Sequence, residues 1–283
     1  MTLILPRAFA EDPAAFDGLS LERRDPNYIR DYAPLVEPLY RYYFRVAASG
    51  FELAPRNEPY LLVGNHNGGI NSPDTGMTVH AWYVTRGADA PIYALIHPTI
   101  FKIPHLNVHI AKMGGVAALA RMALKVLDKG FPLLVYPGAG DDAYKPFEDR
   151  HKVLFFGNDS FVRLALRLHV PVVPIVSLGA HESLVVIDNG RERARAWGLD
   201  KLGIERLPLT FSSPMGLSLG APFNIPWPTK IRLRMGAPIR FSAAGRRPHQ
   251  DADVVARCYA AVVHVMQGML DTMVAERQST GDG

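Results

Sequence analysis

A histidine and an aspartate lie in a glycine-rich turn directly after an apolar run of the sequence. The segment reads LLVGNHNGGINSPDTG over residues 61–76, with His66 and Asp74 eight positions apart. Histidine titrates near neutral pH and a carboxylate can orient its ring, so the two could act as a general-base pair. In one continuous helix they would lie about 12 Å apart along the axis and could not touch.

The local sequence excludes that helix, because Gly68, Gly69 and Pro73 interrupt it. The pattern fits a loop followed by a helix with a serine N-cap and a first-turn proline. Such a loop can fold Asp74 back toward His66. A second interpretation stays open: the carboxylate stabilises the helix N-terminus on its own account, and the histidine only bonds to backbone.

Around this turn, apolar strands alternate with amphipathic helices. The predicted strands cover 59–64, 91–96, 131–138 and 170–179, and the predicted helices cover 72–86, 116–130 and 158–169. This alternation predicts an α/β fold with a mainly parallel central sheet flanked by helices. A further strand with one basic face is expected near 230–239, where Lys230, Arg232 and Arg234 alternate with apolar residues.

We expect one domain over residues 1–283. An amphipathic helical segment at about 20–48, which Pro34 and Pro38 should break or kink, precedes a core at about 50–245. An amphipathic helix at about 251–275 follows. The apolar part of the first residues is too short for a signal peptide, and no apolar run approaches the ~20 residues of a membrane span.

The composition is that of a folded globular protein, with 48% hydrophobic and 20% charged residues. The net charge of +4 is milder than nucleic-acid binders usually carry, so no nucleic acid is expected as a partner. The single cysteine, Cys258, excludes an internal disulfide. These features indicate a cytoplasmic protein.

Four segments, in order, resemble the glycerolipid (lysophospholipid) acyltransferase superfamily. VGNHNGGINSPD resembles the branch whose first block reads Asn-His-x-Gly-Gly followed by Pro-Asp. The other blocks are KMGGVAA (112–118), VYPGAGDDAYKPF (135–147) and VPVVPIVSLGAHES (170–183). The resemblance covers about residues 25–245.

This resemblance implies transfer of a fatty acyl group from a thioester, acyl-CoA or acyl carrier protein, to a lipid hydroxyl. His66 would be the general base and Asp74 would orient it, with no metal or bound organic cofactor required. The acceptor would be a lysophospholipid, a glycerolipid or another lipid alcohol. The implied substrate-binding residues are Asn65, Gly68, Gly69, Lys112, Pro137, Gly138, Gly140, Asp142 and Lys145. The amides around Gly138 to Gly140 are expected to hold an acidic head group or the oxyanion.

The sequence departs from the commonest pattern of this superfamily at three places. Position 71 is Asn where an Asp is usual, so Asp74 must serve through a longer loop. Gly138 stands where a glutamate usually follows the proline, and Asp142, or else Asp141, would replace that carboxylate. The arginine of the second block has only Lys112 and Arg121 as candidates.

Two rival functions stay open. A thioesterase or lipid hydrolase could use the same histidine with water, although no G-x-S-x-G element supplies a serine nucleophile. A non-catalytic lipid-binding protein could retain the same pocket.

His181 and Glu182, directly after a predicted strand, form a further candidate pair. A metal bound by His105 and His109 is disfavoured, because Pro104 and the lack of a nearby carboxylate argue against it.

A membrane-contacting surface is expected in the last third of the chain. Arg191, Arg193 and Arg195 precede Trp197 and the apolar stretch 208–229 with Phe211, Phe223 and Trp227, and the basic strand follows. Apolar side chains beside cations are typical of surfaces that meet lipid. We therefore expect a peripheral protein on the inner face of the membrane.

Overall fold

A computed structural model describes residues 11–69, 71–202, 204–220, 225–242 and 247–281. Two sequence-based expectations lie outside these residues: the reading of the first ten residues, and Phe223 as part of a membrane surface. The α-helices are α1 (Pro26–Pro38), α2 (Pro73–Arg86), α3 (Leu106–Lys112), α4 (Ala120–Asp128), α5 (Ala139–Ala143), α6 (Ser160–Leu168), α7 (Arg191–Ala196) and α8 (Ala252–Ser279). The strands are β1 (Ala47–Ser49), β2 (Leu61–Gly64), β3 (Tyr93–Ile96), β4 (Gly115–Ala117), β5 (Leu133–Val135), β6 (Val172–Leu178), β7 (Val185–Asp188), β8 (Leu209–Ser212), β9 (Gly216–Leu219) and β10 (Arg232–Met235).

The central sheet has seven strands in the order β1-β10-β6-β2-β5-β3-β4. The five strands from β6 to β4 run parallel, and β10 joins β6 antiparallel while pairing β1 in parallel. The predicted α/β fold with a mainly parallel central sheet is confirmed. Strands β7, β8 and β9 form a separate antiparallel sheet.

Both faces of the central sheet are covered by helices, as β2 shows residue by residue. Leu61 and Val63 belong to a core cluster with side chains of α4, α6 and α8, whereas Leu62 belongs to a second cluster with side chains of α1 and α2. Alternate residues of a strand point to opposite faces, so an unbroken apolar strand requires two such cores.

The structure corrects one predicted helix. Residues 115–117 are strand β4, paired in parallel with β3, and α4 begins only at Ala120. The helical spacing of 116–130 favoured a helix here, because the three residues 115–117 are small or apolar and fit a helix or a strand equally well. Val116 pairs with Leu95 of β3, and tertiary pairing decides the conformation.

Two helices differ from expectation in their extent. Helix α1 continues through Pro34 and passes into a π-helical turn, Leu39–Tyr43, directly after Pro38. Helix α8 extends to Ser279 and has 28 residues. By length and composition it could cross a membrane, which the sequence analysis did not anticipate. Val255, Val262, Met266, Leu270 and Met273 of this helix are nevertheless buried against the core.

Candidate active site

The carboxyl ends of three neighbouring parallel strands meet at one edge of the central sheet. Strand β2 lies between β6 and β5, so the segments that follow these strands become neighbours in space. His66 follows β2, the turn 136–145 follows β5, and His181 follows β6. Open α/β sheets form their binding sites at this edge.

His66 and Asp74 are in contact. The Nδ1 atom of His66 lies 3.2 Å from Oδ1 and 3.4 Å from Oδ2 of Asp74. The carboxylate is fully buried, whereas 21% of the histidine side chain is exposed. Because Asp74 engages Nδ1, Nε2 is the ring nitrogen that can meet a substrate. The predicted fold-back of the loop is therefore present.

Glycines make this fold-back possible. Gly68 and Gly69 have φ values of +88° and +73°, the left-handed region that favours glycine. A Cβ on Gly68 would lie 2.9 Å from the Ser183 hydroxyl, and one on Gly69 would lie 2.7 Å from a methyl of Leu184. The two predicted binding residues thus pack against the 180–184 segment, and they shape the loop that holds His66.

The Asp74 carboxylate accepts several hydrogen bonds besides the contact with His66. The amide of Asn67 donates to it at 2.7 Å, and the hydroxyl of Ser72 donates to it as well. Ser72 precedes α2 as predicted, but its hydroxyl bonds to Asp74 rather than to a helix amide. These bonds fix the carboxylate independently of the histidine.

Burial and pairing oppose each other in this dyad. Burial disfavours the charged form of each group, but the attraction between Asp74 and His66 outweighs it. The pKa of His66 is raised above its ordinary value, and the pKa of Asp74 is lowered. The pair therefore favours an imidazolium next to a carboxylate, the state that a general base reaches after taking a proton.

A tyrosine supports the ring of His66. Tyr136 stacks on it with ring centroids 4.5 Å apart and planes 21° apart. At Gly64, the end of β2, an added Cβ would lie 2.5 Å from the Tyr136 ring. The glycine therefore admits the tyrosine, which holds the imidazole from the side of β5. Tyr136 has no distinctive signal in the sequence, because aromatic residues are common after core strands.

A buried ion pair underlies the histidine loop. Asp142 and Lys145 are both fully buried, with 2.7 Å between Oδ1 and Nζ. Asp142 also accepts the amide N–H of His66 at 2.6 Å. Lys145 donates to the carbonyl of His66 at 3.3 Å and to Oδ1 of Asn67 at 2.9 Å. The structure brings both predicted residues to the site, where they hold its backbone.

Asn65 also holds the backbone at the site. Its Nδ2 donates to the carbonyl of Ser177 at 3.0 Å, and its Oδ1 accepts the amide of Ser177 at 2.8 Å. Both polar atoms are thus used inside the protein, where Asn65 is fully buried. This pair of bonds attaches the histidine loop to β6.

The predicted turn 137–140 lies beside the ion pair and is tightly packed. The carbonyl of Pro137 accepts a bond from Asn158. A Cβ on Gly138 would lie 2.5 Å from the carbonyl oxygen of Leu154, and one on Gly140 would lie 1.6 Å from the guanidinium of Arg206. The turn is thus closed by parts of the chain remote in sequence.

Two arginines that the sequence analysis did not place here hold Asp141. Arg191 and Arg206 lie 3.0 and 3.1 Å from its two carboxylate oxygens. Their bonds join the 136–145 turn to the segment around α7. No sequence signal could have found them, because they lie 50 and 65 residues from Asp141.

Lys112 is not part of this assembly. It forms ion pairs with Glu11 and Asp25, and its ammonium lies 5.3 Å from the ring centroid of Tyr28. It ends α3, directly before the edge strand β4, whereas the site lies at β2, β5 and β6. The structure therefore gives Lys112 a place in the N-terminal packing.

The second candidate histidine, His181, is bonded only to backbone. Its Nε2 lies 2.9 Å from the carbonyl of Lys145, and its Nδ1 accepts the Gly68 amide at 3.4 Å. Burial, with the charge of Lys145, lowers its pKa to about 3. Glu182 pairs instead with Arg277 of α8. The pair suggested by adjacency in the sequence is not a pair in space.

Of the two histidines considered for a metal, His109 has an ordinary partner. His109 bonds through Nδ1 to the Tyr28 hydroxyl at 2.9 Å, and burial lowers its pKa to about 4. Across the described ranges, no group of three or more His, Cys, Asp and Glu side chains could hold a metal ion.

The chain matches no protein-family model. An uncharacterized protein of Mycobacterium tuberculosis is 29% identical over 246 residues, which covers 83% of this chain and 66% of the relative. An uncharacterized protein of Mycobacterium leprae is 26% identical over 247 residues, covering 87% of this chain and 65% of the relative. The chain thus spans slightly less than two thirds of the length of these curated relatives.

A solved structure shares the fold. It is the crystal structure of the 1-acyl-sn-glycerophosphate (LPA) acyltransferase PlsC from Thermotoga maritima, with a TM-score of 0.53 and 20% identity. The match covers 96% of this chain and 87% of that one. The arrangement of a mainly parallel sheet flanked by helices is therefore that of this acyltransferase.

Proposed function

We propose that this chain is an O-acyltransferase that moves a fatty acyl group from an acyl thioester to the hydroxyl of a lipid. The observation that carries the proposal is the His66–Asp74 contact at the carboxyl edge of the sheet, in a fold shared with PlsC. The donor is acyl-CoA or acyl-ACP. The acceptor is a lysophospholipid, a glycerolipid or another lipid alcohol.

The hydrogen bonds around the dyad favour transfer to an external hydroxyl. In the described part of the chain, no serine hydroxyl is hydrogen-bonded to the ring of His66, and Ser72 bonds to Asp74 and to the carbonyl of Asn67. A hydrolase triad places its serine against the base. Here the acceptor supplies that hydroxyl.

The reaction follows from the dyad. Nε2 of His66 takes the proton of the acceptor hydroxyl as its oxygen bonds to the thioester carbonyl carbon. Asp74 holds the proton on Nδ1 and stabilises the imidazolium. When the C–S bond breaks, the thiolate takes the proton back from Nε2, so that ester and thiol are the products. No bound metal or organic cofactor enters these steps.

Five of the other predicted residues have a role in this proposal. Asn65, Asp142 and Lys145 are positioning residues, because their polar atoms hold the backbone of the His66 loop. The amides of Gly138 and Gly140 remain the proposed holders of the oxyanion or an acidic head group. Cytoplasmic location on the inner face of the membrane is part of the same proposal.

Product analysis with wild-type protein tests the function. Purified full chain is incubated with a long-chain acyl-CoA and one of several acceptors: lysophosphatidate, another lysophospholipid, monoacylglycerol or a long-chain alcohol. We expect thiol release that depends on the acceptor and equals the acylated lipid formed. Free fatty acid in place of acylated lipid would identify a hydrolase, and binding of lipid without thiol release would identify a lipid-binding protein.

A further inference from the structure

Strand β2 ends in a glycine that lies directly against the ring of Tyr136. The strand reads Leu-Leu-Val-Gly and is buried throughout. Gly64 has an extended backbone that any residue adopts, so its conformation does not require a glycine. A Cβ there would lie 2.5 and 2.9 Å from two carbons of the Tyr136 ring. Glycine weakens a strand and often marks the close approach of another group. Here that group is the tyrosine ring.

The ring that occupies this space is stacked on the imidazole of His66. The two centroids lie 4.5 Å apart and the planes are 21° apart. This distance is at the short end of the range over which aromatic rings interact. Asp74 engages the Nδ1 edge of the same imidazole. Tyr136 and Asp74 therefore hold His66 from one face and from one edge, and together they determine where Nε2 points.

The hydroxyl of Tyr136 lies beside helix α2, inside the protein. It is buried, although the residue as a whole is partly exposed. Thr75 and Thr78 of α2 lie next to it, and it forms no hydrogen bond of normal length and angle with a described residue. Burial and the nearby charge of Asp74 raise the pKa of this hydroxyl, so it stays protonated. Tyr136 therefore meets His66 with its uncharged ring and does not act as a proton donor.

The charged groups around His66 come from α2 and from the 136–145 turn. Asp74 and Asp142 favour the imidazolium, whereas Lys145 and burial oppose it. His181, which bonds to the same loop, is neutral because its pKa is about 3. Two carboxylates thus act with the imidazolium, and one ammonium acts against it.

An aromatic face attracts a cation placed over it, because the π-electrons give the face a partial negative charge. The attraction is larger where water is excluded. Only 21% of the His66 side chain is exposed, and the ring becomes a cation when it takes a proton. Tyr136 therefore favours the charged state of His66 over the neutral state. An aliphatic side chain of similar size would bury the imidazole without this attraction.

We propose that Tyr136 is a positioning residue of acyl transfer: its ring holds the imidazole of His66 in one plane and stabilises the imidazolium that forms as the acceptor loses its proton. The proposal rests on the proposed function for its role in catalysis, whereas the effect on the titration of His66 needs no substrate. Gly64 belongs to the same arrangement, because it makes room for the ring.

The titration of His66 tests the proposal in the full chain without substrate. Protein with carbon-13 in its histidines is followed by NMR as the pH is varied, and the His66 signal is identified by its loss in His66→Gln. We expect Tyr136→Leu to lower the pKa of His66 by about 0.5–1 pH unit, because the charged state loses its aromatic partner. Tyr136→Phe, which keeps the ring and removes the hydroxyl, should titrate as wild type does.

Tyr60 provides the matched control. It is a tyrosine of the core cluster against which Tyr136 packs, its hydroxyl is also buried, and it lies at the other end of β2 from His66. Because Tyr60 is only 1% exposed, Tyr60→Leu should lower the free energy of unfolding more than Tyr136→Leu does. It should nevertheless leave the pKa of His66 unchanged. An equal fall in this pKa in the two variants would contradict the proposal, since loosening of the core would then explain it.

A substitution of matched shape keeps the test decisive if Tyr136→Leu does not fold. Phenylalanine fluorinated around its ring, incorporated at position 136, has nearly the shape of Phe, but its ring face is no longer negative. It should lower the pKa of His66, as Tyr136→Phe should not. Gly64→Ala should act in the same direction by displacing the ring, and it should add little in the Tyr136→Leu background.

Kinetics separate this proposal from the proposed function. With a donor and an acceptor that wild type uses, Tyr136→Leu should lower kcat by about three- to tenfold with little change in KM. The acidic limb of its rate profile should move to lower pH, while Tyr136→Phe should keep the wild-type profile. If wild type transfers no acyl group but the titrations follow the predicted pattern, the proposed function fails and the stabilisation of the imidazolium by Tyr136 is confirmed.

Two further results would overturn the proposal. The first is a wild-type pKa of His66 in both Tyr136→Leu and the fluorinated variant. The second is an equal fall of this pKa in Tyr136→Phe and Tyr136→Leu, because the hydroxyl and not the ring would then be responsible.

Discussion

His66 and His181 follow neighbouring parallel strands and meet the same lysine, yet their surroundings give them opposite chemistry. Lys145 donates through Nζ to the carbonyl of His66 and accepts through its own carbonyl from His181. The ring of His66 faces the buried carboxylate of Asp74. The two nitrogens of His181 are hydrogen-bonded to backbone groups, without a carboxylate.

The difference between them lies in what stabilises a proton on the ring. For His66, burial opposes the charge but the Asp74 carboxylate outweighs it, so the pKa is raised. For His181, burial acts together with the positive charge of Lys145, and the pKa falls to about 3. A histidine at the edge of a parallel sheet is thus a base only where a carboxylate reaches it.

The largest expected effect comes from removing that carboxylate. Asp74→Asn should lower kcat/KM for acyl transfer by roughly 10³-fold or more, because the imidazolium and the reactive tautomer both lose their partner. The base works when His66 is neutral, and its raised pKa puts the acidic limb of the rate profile above pH 6.5 in wild type. In Asp74→Asn this limb should move to lower pH.

The matched control for Asp74→Asn is Glu182→Gln, which removes the carboxylate adjacent to the other histidine. Glu182 pairs with Arg277 rather than with His181. The pH–rate profile of Glu182→Gln should therefore match that of wild type. An equal fall in kcat/KM in Asp74→Asn and Glu182→Gln would show that the contrast between the two histidines has no catalytic meaning.

Breaking the shared ion pair should be the next largest effect, and it acts on stability. Lys145→Met leaves Asp142 buried and unpaired and removes the side-chain bonds that hold the His66 loop. We expect a loss of about 3–5 kcal/mol in the free energy of unfolding, measured by urea denaturation. Adding Asp142→Leu should recover part of this loss. A loss below about 1 kcal/mol in the single variant would contradict the structural role.

The two histidines should also respond to pH with opposite signs. The folded pKa of His181, about 3, lies below its unfolded value of 6.5, so its contribution is complete above pH 6.5 and is lost as pH falls toward 3. The folded pKa of His66 is raised, so its contribution is complete below pH 6.5 and is lost as pH rises through the folded pKa.

Unfolding free energies of wild type, His181→Gln and His66→Gln between pH 4.5 and 9 check these signs. His181→Gln should flatten the acidic decline by up to about 1.4 kcal/mol per pH unit. His66→Gln should be most destabilised, relative to wild type, at the acidic end. If the unfolding free energies of the three proteins depended on pH in the same way, the electrostatic distinction between the two histidines would be contradicted.

The smallest effect is expected at the rim of the site. Arg191 pairs with Asp141, but its side chain is partly exposed, so Arg191→Ala should cost at most about 1 kcal/mol of unfolding free energy. Arg206→Ala should cost more, because that guanidinium is less exposed and closes over Gly140. The reverse order, measured by thermal unfolding, would contradict this reading of the turn.

The sequence predicted the alternation of strands and helices and the contact between His66 and Asp74, because both depend on local signals. Glycines 68 and 69 and the helix that begins at Pro73 leave few ways for this short loop to run. Strand β4 was missed, because its conformation comes from pairing with β3 and not from its own pattern.

The sequence could not separate positioning residues from substrate contacts. Asn65 and Lys145 have polar side chains in the expected motifs, but only the fold shows that Ser177 and the His66 loop occupy them. The partnership of Lys112 with Glu11 and Asp25, and the closure of Gly140 by Arg206, join segments far apart in sequence. Such pairings have no signal in a single sequence.

Thiol release from a long-chain acyl-CoA, with and without lipid acceptors, tests the central claim most directly when wild type is compared with His66→Ala and His181→Gln. We predict acceptor-dependent release in wild type, about 10³-fold or greater loss in His66→Ala, and near-normal release in correctly folded His181→Gln. Acceptor-dependent release by His66→Ala at the wild-type rate would contradict the assignment of His66 as the base.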